Sequence, residues 1–363
     1  MLARTAFLTA AAALLMATPA AAEDKVVNVY NWSDYVDESV LTDFTKQTGI
    51  KVVYDVYDNN DILETKLMAG NSGYDIVVPT NPNLAREIAA GTLQTLDKSK
   101  LPNIKHMWPL IMERLATYDP GNQYAIDYMW GTTGLGYNVD KVKERVPDAP
   151  LDSWALLFDP QYASKLADCG IHVLDSSDDV IPPALAYLGL DPDSKDQADL
   201  DKAAALIKGV RPYIQKFHSS EYINALANGD ICLALGYSGD VFQAADRASE
   251  ADNGVTVGYI IPKEGALMWF DSMAIPKDAP HPDAAHAFID YMMWPDVAAK
   301  NSNYVYYANG NLDSQELLNE DVIGDPAIYP DKETLDRLFI TTPPDAKTQR
   351  IITRLWTSLK AGG

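Results

Sequence analysis

The spacing of apolar residues along the first third of the chain switches repeatedly between two periods. Val26 to Tyr30 reads as a β-rich run, and the stretch Asp37 to Gln47 carries Val40, Leu41 and Phe44 at helical spacing before Gly49 ends it. Ile50 to Val56 is β-branched again, Asp61 to Ala69 is helical with Gly70 as its stop, and Asp75 to Pro79 reads as a short buried strand. Leu84 to Ala90 predicts one more helix, closed by Gly91. Strands alternating with helices in this way predict βαβ units and a mostly parallel sheet.

The texture changes near Met129 to Asn138, where Gly131, Thr132, Thr133, Gly134 and Gly136 sit inside an otherwise strand-like run. Small residues there suit a chain crossing between two lobes, or an ordinary strand with bulges. A second α/β stretch follows. It has strands near Ile171–Leu174 and Ile231–Leu235, and helices near Leu200–Lys208 and Tyr222–Ala227. Val255–Ile261 and Leu267–Ile275 read as two strands joined by the turn Pro262 to Gly265, and Asp283 to Met293 as an amphipathic helix. The tail from Glu333 to Lys360 is helical around Pro343 and Pro344, and no internal repeat is visible.

Residues 1–22 have a different character. One positive charge, an apolar run from Ala6 to Ala17 and small residues before Glu23 form the layout of a cleaved secretory signal. The run is too short and too alanine-rich for a permanent membrane helix, and no later stretch is long and apolar enough to be one. About 340 residues then remain, a length that suits two domains rather than one. The formal charge of −22 disfavours nucleic acid and anionic membrane as partners, because both are held by basic patches. It favours cations, although a solvated acidic surface accounts for much of it. Cys169 and Cys232 form an even count, which in an exported chain favours one disulfide.

Catalytic templates fall short. Gly236-Tyr237-Ser238-Gly239 misses the nucleophile-elbow spacing by one position, the five histidines are scattered, and there is no P-loop or dinucleotide fingerprint. What recurs is an aromatic residue beside a carboxylate, mostly at the end of a predicted strand. Trp32-Ser33-Asp34-Tyr35, Tyr237-Ser238-Gly239-Asp240 and Trp269-Phe270-Asp271 have this form, and Tyr306-Tyr307 precedes Ala308. In open α/β sheets ligands bind beyond the carboxyl ends of strands, so these clusters converge if they face one cleft. Taken singly, Asp34, Asp240 and the pair Asp178-Asp179 also fit helix N-caps. Asp271 is the only charge from Leu267 to Ile275, and a buried carboxylate needs a partner. A carboxylate neutralises an ammonium through charge-assisted hydrogen bonds, and ring faces attract the cation at about 0.5–2 kcal/mol per good contact.

At these residues the chain resembles the periplasmic polyamine-binding proteins of ATP-driven importers, most closely their putrescine branch. The likeness runs over nearly the whole mature chain and is carried by Tyr30 to Tyr35, Thr48 to Asp55, Lys66 to Gly70 and Gly134 to Lys141. It continues through Phe217 to Ser220, Leu226 to Cys232 and Ile261 to Ala266. The resemblance implies the type II periplasmic-binding-protein fold, with two α/β lobes joined by crossover hinge segments around a central ligand cleft. We expect a signal peptide over 1–22, a first lobe from 23–131 plus 252–302, and a second from 132–251 plus 303–363. The resemblance also implies that Cys169 and Cys232 are bonded. Carried over position by position, it implies a ligand site of Trp32, Ser33, Asp34, Tyr35, Thr80, Asp179, Ser219, Tyr237, Asp240, Trp269, Asp271 and Tyr307.

Thr80 stands where that branch has serine, Asp179 where it has glutamate, Tyr237 where tryptophan is usual and Trp269 where phenylalanine occurs. Asn81-Pro82-Asn83 also departs from the small and aromatic residues expected there. These swaps redraw the pocket walls without touching the cationic logic. The expected function is therefore capture of a polyamine in the periplasm, putrescine or a similar short diamine before spermidine, for delivery to an inner-membrane permease. The receptor is expected to be a monomer without cofactor, metal or catalysis. Two other readings remain: a ferric-ion receptor of similar shape, suggested by Tyr306-Tyr307, and an exported hydrolase using Ser238.

Overall fold

The protein, seen as a computed structural model, is described from residue 25 to residue 362, so the expected signal at 1–22 lies outside the described residues. Ten strands form the sheet: β1 Val26–Trp32, β2 Lys51–Tyr57, β3 Ile76–Val77, β4 Ala125–Asn138, β5 Ile171–Val173, β6 Lys216–Phe217, β7 Leu233–Tyr237, β8 Val257–Ile260, β9 Leu267–Ala274 and β10 Ala308–Asn309. Their order is β2-β1-β3-β9-β4-β7-β5-β6, with β8 and β10 also on β4. The outer strands run parallel, β2 and β3 with β1 and β5 with both β6 and β7, as the alternating periods predict.

The small-residue strand β4 joins the two halves. Its first part pairs antiparallel with β9 and β10, and its second part with β7 and β8. One continuous strand therefore belongs to both lobes, and Gly131 near its middle has a packing reason. A Cβ there would sit 2.7 Å from the Trp269 ring and 2.9 Å from Ser238 Oγ. The strands on either side of Pro262–Gly265 do not pair with each other. They lie end to end along β4, with Ile260 opposite Leu135 and Leu267 opposite Thr133.

The later segments are distributed along both halves of β4. β8 pairs only with the second part of β4, and Ile260 and Ala266 belong to the core built on Leu135, Trp154, Tyr222 and Leu233. β9 pairs with the first part of β4. Ala308, Val322 and Ile328 pack with Trp130, Met268 and Phe270. The final helix Ala346–Lys360 delivers Ile352, Trp356 and Leu359 to the second core, and Leu338 packs against it. The physical reason is the sheet: a segment joins whichever half of β4 it pairs with, and linear sequence does not reveal which half.

Helix ends follow the predicted chemistry. Asp37 caps Glu38–Thr48 by accepting from Ser39 N–H, and Gly49 closes it with φ 71°. Cys169 and Cys232 are bonded, with their Cα atoms 5.4 Å apart, which ties the start of β5 to β7. Among the described residues no helix is long and apolar enough to cross a membrane.

Candidate functional site

A cavity of about 470 Å³, counted out to its solvent mouth, lies between the lobes. From the first lobe it receives Trp32, Ser33 and Tyr35 after β1, Thr80 at the start of the helix Asn81–Ala90, Trp269 and Asp271 from β9, and Tyr307 before β10. From the second come Asp179 in the first turn of Ser177–Tyr187, Ser219 after β6, Tyr237 at the end of β7, and Asp240 in the first turn of Ser238–Glu250. All the expected residues except Asp34 therefore meet in one place. No Lys, Arg or His lines the cavity.

Three of its residues are buried carboxylates, and each is held by two hydroxyl groups. Asp271 accepts from Thr80 Oγ1 at 2.6 Å and Tyr35 OH at 2.9 Å. Asp240 accepts from Tyr222 OH and Tyr307 OH, both at 2.6 Å. Asp179 accepts from Thr133 Oγ1 at 2.9 Å and Tyr237 OH at 3.1 Å. Hydroxyl donors orient a carboxylate without neutralising it. Burial consequently raises all three carboxyls, against the lowering effect of these bonds: Asp240 and Asp271 are pushed up to about 7 and Asp179 to about 6. The site is a nest of acids lacking a cation.

Aromatic rings close the walls. Tyr237 meets Trp269 edge-on with ring centroids 5.5 Å apart, Trp269 meets Tyr307 at 5.4 Å, and Trp32 meets Tyr237 across the cleft at 6.3 Å. Trp32 is fixed by donating from Nε1 to Val78 O at 2.9 Å. The Trp269 indole N–H is buried with no hydrogen-bond partner. Gly239 allows the first turn of its helix to touch Tyr307, where a Cβ would stand 2.5 Å from that ring. The Tyr307–Asp240 bond thereby joins one lobe to the other.

Asp34 is the exception. Its backbone is left-handed, with φ 55°, and its partly exposed carboxylate pairs at 2.6 Å with Arg247 of the helix Ser238–Glu250 rather than lining the cavity. Gln243 Nε2 also donates to the Asp34 carbonyl at 3.2 Å. Asp34 therefore ties the lobes at the rim. The N-cap alternatives fall away as well: Asp37 caps the helix after Asp34, and Asp179 and Asp240 lie inside their helices' first turns.

Tyr57, Asp58 and Ser220 also line the cavity and were missed. Tyr57-Asp58 closes β2 with the same aromatic-plus-carboxylate signature used elsewhere, so the signal was present in the sequence. Asp58 accepts from Ser33 Oγ at 2.9 Å. The iron and hydrolase readings find little support in this geometry. Tyr306 packs against the Trp130–Phe270 cluster while Tyr307 enters the cavity, so the two phenols do not converge. Ser238 Oγ accepts from Thr132 N–H at 3.4 Å, and no histidine is among its hydrogen-bond partners.

The profile of the bacterial extracellular solute-binding proteins matches residues 39–330. The chain belongs to that family. Among related solute-binding proteins, the putrescine-binding periplasmic protein SpuD of Pseudomonas aeruginosa is 52% identical over 343 residues, covering 94% of each chain. The putrescine-binding periplasmic protein PotF of Escherichia coli is 48% identical over 344 residues, covering 94% of this chain and 93% of its own. Among solved structures, the spermidine/putrescine ABC transporter substrate-binding protein PotD of Streptococcus pneumoniae superposes with a TM-score of 0.75 at 32% identity. That match covers 93% of this chain and 99% of the other. These likenesses span the type II fold, and the disulfide and the two-lobed cleft described above fit it.

Proposed function

We propose that this solute-binding protein captures a short polyamine in the periplasm, a diamine of the putrescine class before others, and delivers it to an inner-membrane ATP-driven permease. The observation that carries the reading is the set Asp179, Asp240 and Asp271, buried together among aromatic rings with hydroxyl partners only. An ammonium supplies the missing positive charge, and the rings pack its methylene chain. Carboxylates from both lobes (Asp271 from one, Asp179 and Asp240 from the other) give the ligand its greatest contact when the lobes are closed, so binding favours closure. The relatives named for putrescine support the diamine, and binding without turnover is the expected activity.

A triamine is the second reading, because the cavity holds three buried carboxylates and Asp58 besides. Calorimetry on protein stripped of carried-over ligand, against putrescine, cadaverine, agmatine, spermidine and spermine, tests both. We expect at least one micromolar or tighter complex, which requires about 8 kcal/mol. Asp240→Asn is expected to weaken it by about 2 kcal/mol or more, since a charge-assisted bond becomes a neutral one. No heat with any amine rejects the proposal.

A further inference from the structure

The segment between β6 and the helix Tyr222–Ala227, together with the first residue of that helix, builds one corner of the site. Ser219 and Ser220 line the cavity, and Tyr222 braces Asp240 at 2.6 Å while accepting Tyr237 N–H at 3.0 Å. The residue that organises this segment lies just ahead of it and does not line the cavity. His218 Nδ1 accepts from Ser220 N–H at 3.1 Å and from Glu221 N–H at 3.2 Å, and Ser220 Oγ lies 3.4 Å away. Among the described residues those two amides have no other hydrogen-bond acceptor, because they open the turn into the short helix.

The opposite edge of the ring sets its tautomer. His218 Nε2 lies 3.3 Å from Glu221 Oε1, so the neutral ring carries its proton on Nε2 and leaves Nδ1 free to accept. The charged and titratable groups around it are Glu221 itself, Lys216 of β6, which is bonded to Glu221, and His172 of β5. The backbone of His218 is fixed independently, by donating to Val173 O at 3.0 Å, and Ser219 Oγ accepts from Asp175 N–H at 3.1 Å. His218 N–H and Ser219 are thus anchored elsewhere, and the ring acts on the turn that follows them.

We propose that His218 is a positioning residue for the pocket: its neutral Nδ1 holds the Ser220 and Glu221 amides, and through them Ser220 and the start of the Tyr222 helix, in their binding geometry, and its protonation releases them and weakens ligand capture. A protonated Nδ1 presents a hydrogen to two backbone N–H groups, so the pairing cannot persist and the turn must move. This inference rests on the polyamine reading for its ligand, and on hydrogen-bond geometry for its mechanism.

The test compares wild type, His218→Ala and His218→Asn by calorimetry with putrescine and spermidine at pH 8 and pH 5.5. The Asn carbonyl reproduces the acceptor over the same span and cannot be protonated. At pH 8 we expect His218→Ala to bind at least about fivefold more weakly and His218→Asn to stay within about twofold of wild type. The buried carboxyls affect both proteins alike, so wild type should lose several-fold more affinity than His218→Asn. Superimposable pH profiles for the two, or wild-type affinity in His218→Ala at pH 8, overturn the proposal. Should His218→Ala melt early, His218→Asn alone still decides it. If wild type binds neither amine, the functional reading fails instead. The ¹⁵N shifts of the Ser220 and Glu221 amides then carry the test: they must titrate in wild type and stay flat in His218→Asn, and a flat wild type refutes it.

Discussion

Binding of a dication to this cavity should expel protons, and affinity should therefore climb steeply with pH. Without ligand, Asp240 and Asp271 are pushed up to about 7 because burial outweighs the hydroxyl bonds that favour their charged forms. A diammonium ligand needs both ionised. Each carboxyl then multiplies the apparent Kd by 1 + 10^(pKa − pH), about 1.1 at pH 8 and about 11 at pH 6, so two together weaken binding about 100-fold between those values. The ligand's own amines, near the lysine value of about 10.4, stay charged throughout. The sign for stability is the reverse. A carboxyl raised in the folded state keeps its proton where the unfolded chain has lost it, so the ligand-free protein loses stability as pH rises from the ordinary carboxylate range toward 7. Amine binding offsets that loss, and the ligand-induced rise in Tm should grow over the same window. Calorimetry in buffers of different ionisation enthalpy counts the released protons directly. A Kd that changes less than about fivefold between pH 8 and 6, with no proton release, would refute the idea that uncompensated acids drive recognition.

Two further outcomes are expected. Arg247→Ala removes the pair with Asp34 that joins the lobes at 2.6 Å, but both side chains are partly solvated, so the loss should be at most about 1 kcal/mol, a few-fold in Kd, and should shrink in high salt. Small-angle scattering should show a larger open fraction at sub-saturating amine, and tighter binding by the variant would contradict the assignment. Reducing the Cys169–Cys232 bond, which spans a separation of 63 residues, should cost about 4 kcal/mol in the chain-entropy account and lower the Tm by several degrees. An unchanged Tm in reductant, with thiols shown to be free, would show that the loop contributes nothing to the unfolded state's entropy.

Much of the site was legible before any coordinates because one local signature, an aromatic beside a carboxylate where a strand ends, marks most of its walls. Applied evenly, it would also have found Tyr57-Asp58. Asp34 carries the signature and still points elsewhere, because the sign of its φ is a property of the folded turn that its neighbours do not announce. His218 and Tyr222 are not legible in the sequence for a different reason: they act on the pocket through other groups, and nothing in their local spacing shows which carboxylate or amide they meet.

Periodicity, capping residues and stop glycines operate within a turn or two, so the sequence alone determined the βαβ order, and its aromatic–carboxylate pairs pointed to a cationic ligand. Which half of β4 each later segment joins, and which hydroxyl holds each acid, depends on contacts between residues as far apart as Tyr35 and Asp271, 236 positions along the chain. Only folding brings those groups within hydrogen-bond range. Their arrangement in one cleft, with acids paired to hydroxyls instead of cations, belongs to the tertiary structure.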